Sequence, residues 1–129
     1  MYQIRVEADF AAAHYLQDYH GKCENLHGHN YNVYAHVQGE KLDEGGMLFD
    51  FSQLKAALRI VCKKLDHTNL NDIALFENNP SAERIAKYIY EEVQKELSYT
   101  KNTSAQLYCI DVFETPTSRA RYIPRFPVK

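Results

Sequence analysis

The sequence predicts an α+β chain, an antiparallel sheet with two helices on one face. Three patterns carry that prediction. Two strand-like stretches open the chain. Two segments with apolar residues at helical spacing fill its middle, and two further strand-like stretches close it. The order is β-β-α-α-β-β.

In residues 2–14, Ile4, Val6 and Ala8 alternate with Arg5, Glu7 and Asp9, which reads as a strand. Residues 15–26, YLQDYHGKCENL, are polar and contain Gly21, so they read as a loop. Residues 27–39, HGHNYNVYAHVQG, are rich in Tyr and Val and read as the second strand. GEKLDEGG is its turn. After MLFDF, the segment SQLKAALRIVCKKLDH places Leu54, Ala57, Leu58, Val61, Cys62 and Leu65 at helical spacing. A second helix is expected from Ser81 to Leu97, with Ile85, Ile89, Val93 and Leu97 along one face. Asn79-Pro80 is its start signal, since Pro fits the first helical turn. Residues 105–114, AQLYCIDVFE, give the third strand. RARYIPRF gives a shorter fourth, which Pro124 ends or confines to an edge. Two helices cover one sheet face only, so the other must be polar or find a partner.

At 129 residues the chain is one domain, 1–129. A hydrophobic content of 45% and a charged content of 25% are ordinary for a soluble globular protein. The formal net charge of −2 gives no broad electrostatic case for nucleic-acid binding. No apolar run reaches membrane-span length. The opening MYQIRVEADF is too charged and too alternating for a signal peptide. Three well-separated Cys argue against a disulfide framework, and a cytoplasmic location is expected.

CENLHGHNY, residues 23 to 31, concentrates the chemistry. Side chains at i and i+2 of a strand share a face, so His27 and His29 can reach one ion, and Gly28 leaves room on the other face. A catalytic zinc takes three protein ligands and keeps one open position. His14 ends the first strand in FAAAH, and antiparallel pairing across the 15–26 loop would set it beside His27 and His29. His36 lies an odd number of residues from His29, so it faces the other way. His20 has only loop polarity around it. Cys23 has two readings. It is either a fourth ligand that closes a structural site, or a thiolate activated beside the metal. Cys62 and Cys109 sit in apolar patterns, as small core residues do.

Two more polar features stand out. In LDHTNLN, residues 65–71, Asp66-His67 resembles a carboxylate-oriented general acid or base. A helix end with a favourably placed His has the same pattern. Glu114 closes the mostly apolar third strand. A carboxylate there can accept two parallel N–H bonds from a ring edge, or it can be an exposed charge.

Taken in order along nearly the whole chain, FAAAH, CENLHGHNY, MLFDF, LDHTNLN, NPSAE and VFETPTSRARY resemble the 6-pyruvoyl-tetrahydropterin synthase / 6-carboxytetrahydropterin synthase family. The resemblance implies the tunnelling fold (T-fold), in which three subunits join sheets into a barrel and two barrels stack into a homohexamer, a dimer of trimers with sites between subunits. It implies Zn2+ on His14, His27 and His29, Cys23 as catalytic thiol, Asp66 and His67 as its proton-transfer partners, and Glu114 as anchor of a pterin substrate. Only Glu24, Asn25 and Leu26 separate Cys23 from the HGH. That short spacing resembles the bacterial 6-carboxytetrahydropterin branch of the queuosine (7-deazaguanine) pathway more than the pyruvoyl branch. Cys23 itself argues against the branch in which Glu replaces it. Lys22, Arg119 and Arg121 are candidates for holding a triphosphate. The competing reading from another class is a non-catalytic zinc module with Cys23 as fourth ligand. It leaves Asp66, His67 and Glu114 without a purpose.

Overall fold

A computed structural model describes residues 1–17, 24–97 and 104–125. The two opening strands run over the spans that their patterns predict, β1 over Tyr2–His14 and β2 over His27–Gly39. Helix α1 spans Phe51–Leu65 and α2 spans Ala82–Leu97. Strands β4 (Gln106–Thr115) and β5 (Ser118–Tyr122) close the chain, with β5 ending before Pro124. One strand escaped the sequence reading: β3, Thr68–Asn69, runs parallel to β1 for two residues. A stretch so short carries no period to detect. The sheet order is β3-β1-β2-β4-β5, with the other pairings antiparallel.

Alternation decides which face is which. Val6, Phe10, Ala12 and His14 of β1 point to the same side as Tyr31, Val33, Ala35 and Val37 of β2, and all are buried. Ile110 and Val112 extend that side on β4. Both helices cover it: Leu54, Leu58, Val61 and Leu65 of α1 and Ile85, Ile89 and Val93 of α2 are fully buried. Each such side chain contributes roughly 1.5–3 kcal/mol relative to exposure. Asp50 caps α1 by accepting the Ser52 amide at 2.7 Å.

Asn79-Pro80 lies just before α2, as expected, but the helix begins at Ala82, one residue later than Ser81, so Pro80 stays outside the first turn. Ser81 precedes the helix and its hydroxyl accepts the Arg84 amide at 3.2 Å. This leaves the Pro80 carbonyl free for another partner.

The second sheet face is polar, as two helices alone require. Arg5 lies over the Tyr34 ring at 4.6 Å, and Tyr34 meets Phe113 edge-on. No helix among the described residues is long and apolar enough to cross a membrane.

Candidate metal centre and active site

The hairpin register builds the centre. His14 pairs with His27 and Ala12 with His29, so three imidazoles meet at one end of the core face. One ligand atom from each lies within 4.8 Å of the others. The orientation of two rings is fixed from behind. His14 Nδ1 is 3.0 Å from the Pro80 carbonyl oxygen, and His27 Nδ1 is 2.7 Å from that of Asn25. A carbonyl only accepts, so both Nδ1 atoms carry the proton and donate it. Both Nε2 lone pairs are thereby left available, the arrangement in which histidine ligates metals.

Glu114 makes the centre electrostatically incomplete. Its Oε1 lies 3.2 Å from His14 Nε2 and 3.7 Å from His29 Nε2. Both nitrogens lie within reach of an ion pair were the imidazoles protonated, yet His14 Nε2 is buried and makes no hydrogen bond among the described residues. The geometry therefore sets a nitrogen lone pair against a carboxylate oxygen. Two acceptors repel at that separation unless a cation lies between them. The residues present thus fit a metal ion. Burial holds His29 below the usual histidine range, with His14 and His27 adding to the effect and Glu114 opposing it. A neutral imidazole is the ligand form.

Asp66 and His67 are sewn to β1 at a single residue. Asp66 Oδ1 accepts the Ala11 amide at 2.8 Å, and the Ala11 carbonyl accepts the His67 amide at 2.6 Å. Asp66 Oδ2 then takes His67 Nδ1 at 2.8 Å. His67 has φ +58°, a left-handed backbone that a non-glycine residue holds only under constraint. The Ala11 amide, then His67, keep the Asp66 carboxyl below its ordinary range. The imidazole is 84% exposed at the β3 edge of the sheet. No hydrogen bond or ion pair among the described residues joins this dyad to the three histidines. Between His29 and His67 lies an open depression lined by Ala11, Ala13 and Gly28.

Cys23, Lys22 and His20 lie outside the described residues. The chain on either side of them is pinned. Leu16 and Glu24 exchange two bonds: the Glu24 amide to the Leu16 carbonyl at 2.9 Å, and the Leu16 amide to Glu24 Oε1 at 3.1 Å. The Asn71 side chain holds both backbone groups of Tyr15, and the Asn79 side chain both of Gln17. Glu24 is thereby fixed beside Leu16, which lies two residues beyond His14. The asparagines of LDHTNLN and of the segment before Pro80 were the available signal, and the sequence reading passed over them. It also passed over the Pro80 and Asn25 carbonyls, which no residue type announces.

Arg119 and Arg121 do not face the three histidines. They lie on the polar sheet face, paired in register with Phe113 and Asp111. Arg121 binds buried Asp111 through Nε at 2.6 Å and Nη2 at 2.9 Å, and His36 Nε2 joins at 2.7 Å. Within one chain they are committed to that carboxylate. Cys109 is buried as expected, but on this face, beside His36 and Asp111. Burial pushes its thiol up to about 11.

The fold is thus an α+β sheet with a three-histidine corner, a bordering carboxylate and an Asp-His pair at its edge. The family model for 6-pyruvoyl tetrahydropterin synthase matches residues 3–125, and the chain belongs to that family. The 6-carboxy-5,6,7,8-tetrahydropterin synthase of Synechocystis is 39% identical over 95% of this chain and 93% of its own. The enzyme of the same name from Bacillus subtilis is 36% identical over 96% of this chain and 86% of its own. The solved structure of Caenorhabditis elegans 6-pyruvoyl tetrahydropterin synthase superimposes with a TM-score of 0.79 at 30% identity, covering 96% of each chain.

Proposed function

We propose that this chain is a zinc-dependent 6-carboxy-5,6,7,8-tetrahydropterin synthase of the queuosine (7-deazaguanine) pathway. It would convert 7,8-dihydroneopterin triphosphate to 6-carboxytetrahydropterin, acetaldehyde and triphosphate. The family membership and the names of the two bacterial relatives support the activity. The observation that carries the metal is the bare His14 Nε2 facing Glu114 Oε1 at 3.2 Å.

His14, His27 and His29 would hold the ion through their Nε2 atoms. Zinc, when bound there, would supply Lewis acidity to carbon-bound protons beside the substrate's hydroxyls. Cys23, as thiolate, would remove one such proton; a free thiol with a pKa of about 8.5 needs a nearby cation to ionise at neutral pH. His67, oriented by Asp66, would carry protons at the other end of the reacting side chain. Glu114 would accept the 2-amino and N3 hydrogens of the pterin ring. Its place beside the three imidazoles puts ring anchoring and metal holding at one corner.

The dyad's exposure supports sites shared between subunits. Among the described residues, no strand pairs with the outer side of β1 beyond Ala12–Ala13, and none pairs with the outer side of β5. Open edges are liabilities that barrel closure removes. The assembly we propose is a homohexamer, a dimer of trimers, in which Asp66 and His67 work in a site completed by a neighbouring copy. The name of the C. elegans structure favours a second reading, 6-pyruvoyl-tetrahydropterin synthase. Incubation with dihydroneopterin triphosphate and mass identification of the pterin product separates the two. Acetaldehyde should appear in proportion to substrate consumed. Accumulation of 6-pyruvoyl-tetrahydropterin without acetaldehyde would overturn the carboxy assignment. Sedimentation of the same preparation as a monomer would overturn the shared site.

A further inference from the structure

Tyr31 holds a second bare polar atom at the three-histidine corner. It stands two residues beyond His29 on the same face of β2 and is 0% exposed. Its ring stacks on Phe10 at 4.7 Å and 12°. It meets His29 at 5.6 Å and His14 at 5.9 Å, both edge-on. These contacts fix the ring on three sides. Its hydroxyl is nonetheless buried with no hydrogen-bond partner among the described residues. Only two buried side-chain polar atoms there lack a partner, the Tyr31 hydroxyl and His14 Nε2, and their rings touch. A buried polar group without a partner is costly and rare in a native protein. A phenol placed only for packing would be replaced by phenylalanine at no loss.

We infer that the Tyr31 hydroxyl is a positioning group for substrate, reserved to hydrogen-bond an oxygen of the hydroxylated molecule held at the His14–His27–His29 corner. This rests on the reading that the three histidines hold zinc and that a polyhydroxyl pterin binds beside it. The buried hydroxyl, without a partner among the described residues, gains one on binding. A site with a reserved donor also discriminates against ligands that lack the matching oxygen.

Tyr31→Phe removes one oxygen and keeps the ring. Zinc per subunit is measured first, and then neopterin binding by calorimetry. Wild-type protein should bind zinc and neopterin. The variant should bind the same zinc and bind neopterin about tenfold more weakly, about 1.4 kcal/mol. Pterin without the hydroxylated side chain should bind both proteins equally. The metal-free variant should melt no lower than metal-free wild type, since the lost hydroxyl had no partner. Equal neopterin affinity in the two proteins overturns the inference, as does a lower melting temperature of the metal-free variant. A wild-type protein that takes up no zinc overturns instead the reading on which it rests.

Discussion

His29 and His36 stand on opposite faces of β2, and each belongs to a trio of side chains able to ligate a metal. The two trios are finished in different ways. At the His36 end, Asp111 receives two bonds from Arg121 and one from His36, with Arg119 Nη1 at 3.8 Å. Burial alone would raise the Asp111 carboxyl, but Arg121 and His36 more than offset it and hold it low. The protein's own guanidinium fills the cation position there. At the His29 end no guanidinium or ammonium group approaches among the described residues. Glu114 faces imidazole lone pairs, and the chain's own hydrogen bonds to Pro80 and Asn25 turn those lone pairs inward. Ligand-type residues in proximity do not make a metal site. The charge left uncompensated does.

The largest effects should separate the two ends by metal content. His29→Ala should lose zinc and activity together, whereas His36→Ala should keep about one zinc per subunit. Cys23→Ala and His67→Ala should keep zinc yet lose turnover by roughly 10²–10⁴-fold, the contribution of a general acid or base. Metal analysis after dialysis, beside the rate, decides this. A Cys23→Ala protein as zinc-poor as His29→Ala would make Cys23 the fourth ligand and the site a closed one.

A smaller effect should mark the self-neutralised end. Asp111→Ala should destabilise the fold by about 1–3 kcal/mol, because charged hydrogen bonds are lost and Arg121 and His36 are left to water. Zinc affinity should not change. Denaturant unfolding of the metal-free protein reads the first, and competition with a chelator reads the second. A fall in zinc affinity would mean that the two faces are coupled.

The smallest effect concerns pH. His29 is held below its ordinary value of 6.5, so the unfolded chain takes up this proton more readily than the folded one. The corresponding stability is fully present above about 6.5 and is lost as pH falls from there toward the depressed folded value. In the metal-free protein, His29→Gln should flatten the decline in melting temperature between pH 7 and 5. The zinc-loaded wild type should release metal over the same acidic range, since protons compete for its ligands. An unchanged melting profile in His29→Gln would remove His29 from the acid sensitivity.

Much of this was legible without coordinates. Alternation marked β1, Tyr and Val content marked β2, and period 3.6 marked both helices, because burial on one face imposes such patterns. The i, i+2 spacing put His27 and His29 on one face, and hairpin pairing brought in His14. Motif order placed Asp66, His67 and Glu114 among the functional candidates. What the sequence could not express is contact between segments far apart along the chain. The Pro80 carbonyl lies 66 residues from His14, whose ring it orients. Ala11, 55 residues from Asp66, positions the dyad with backbone atoms that every residue type shares. That Arg119 and Arg121, named as candidate anion binders, lie on the other sheet face beside Asp111 was visible only from the register. Local patterns determine which face a side chain takes. Only the folded chain decides which lone pairs, donors and charges are left without a partner, because that depends on every element packed around them.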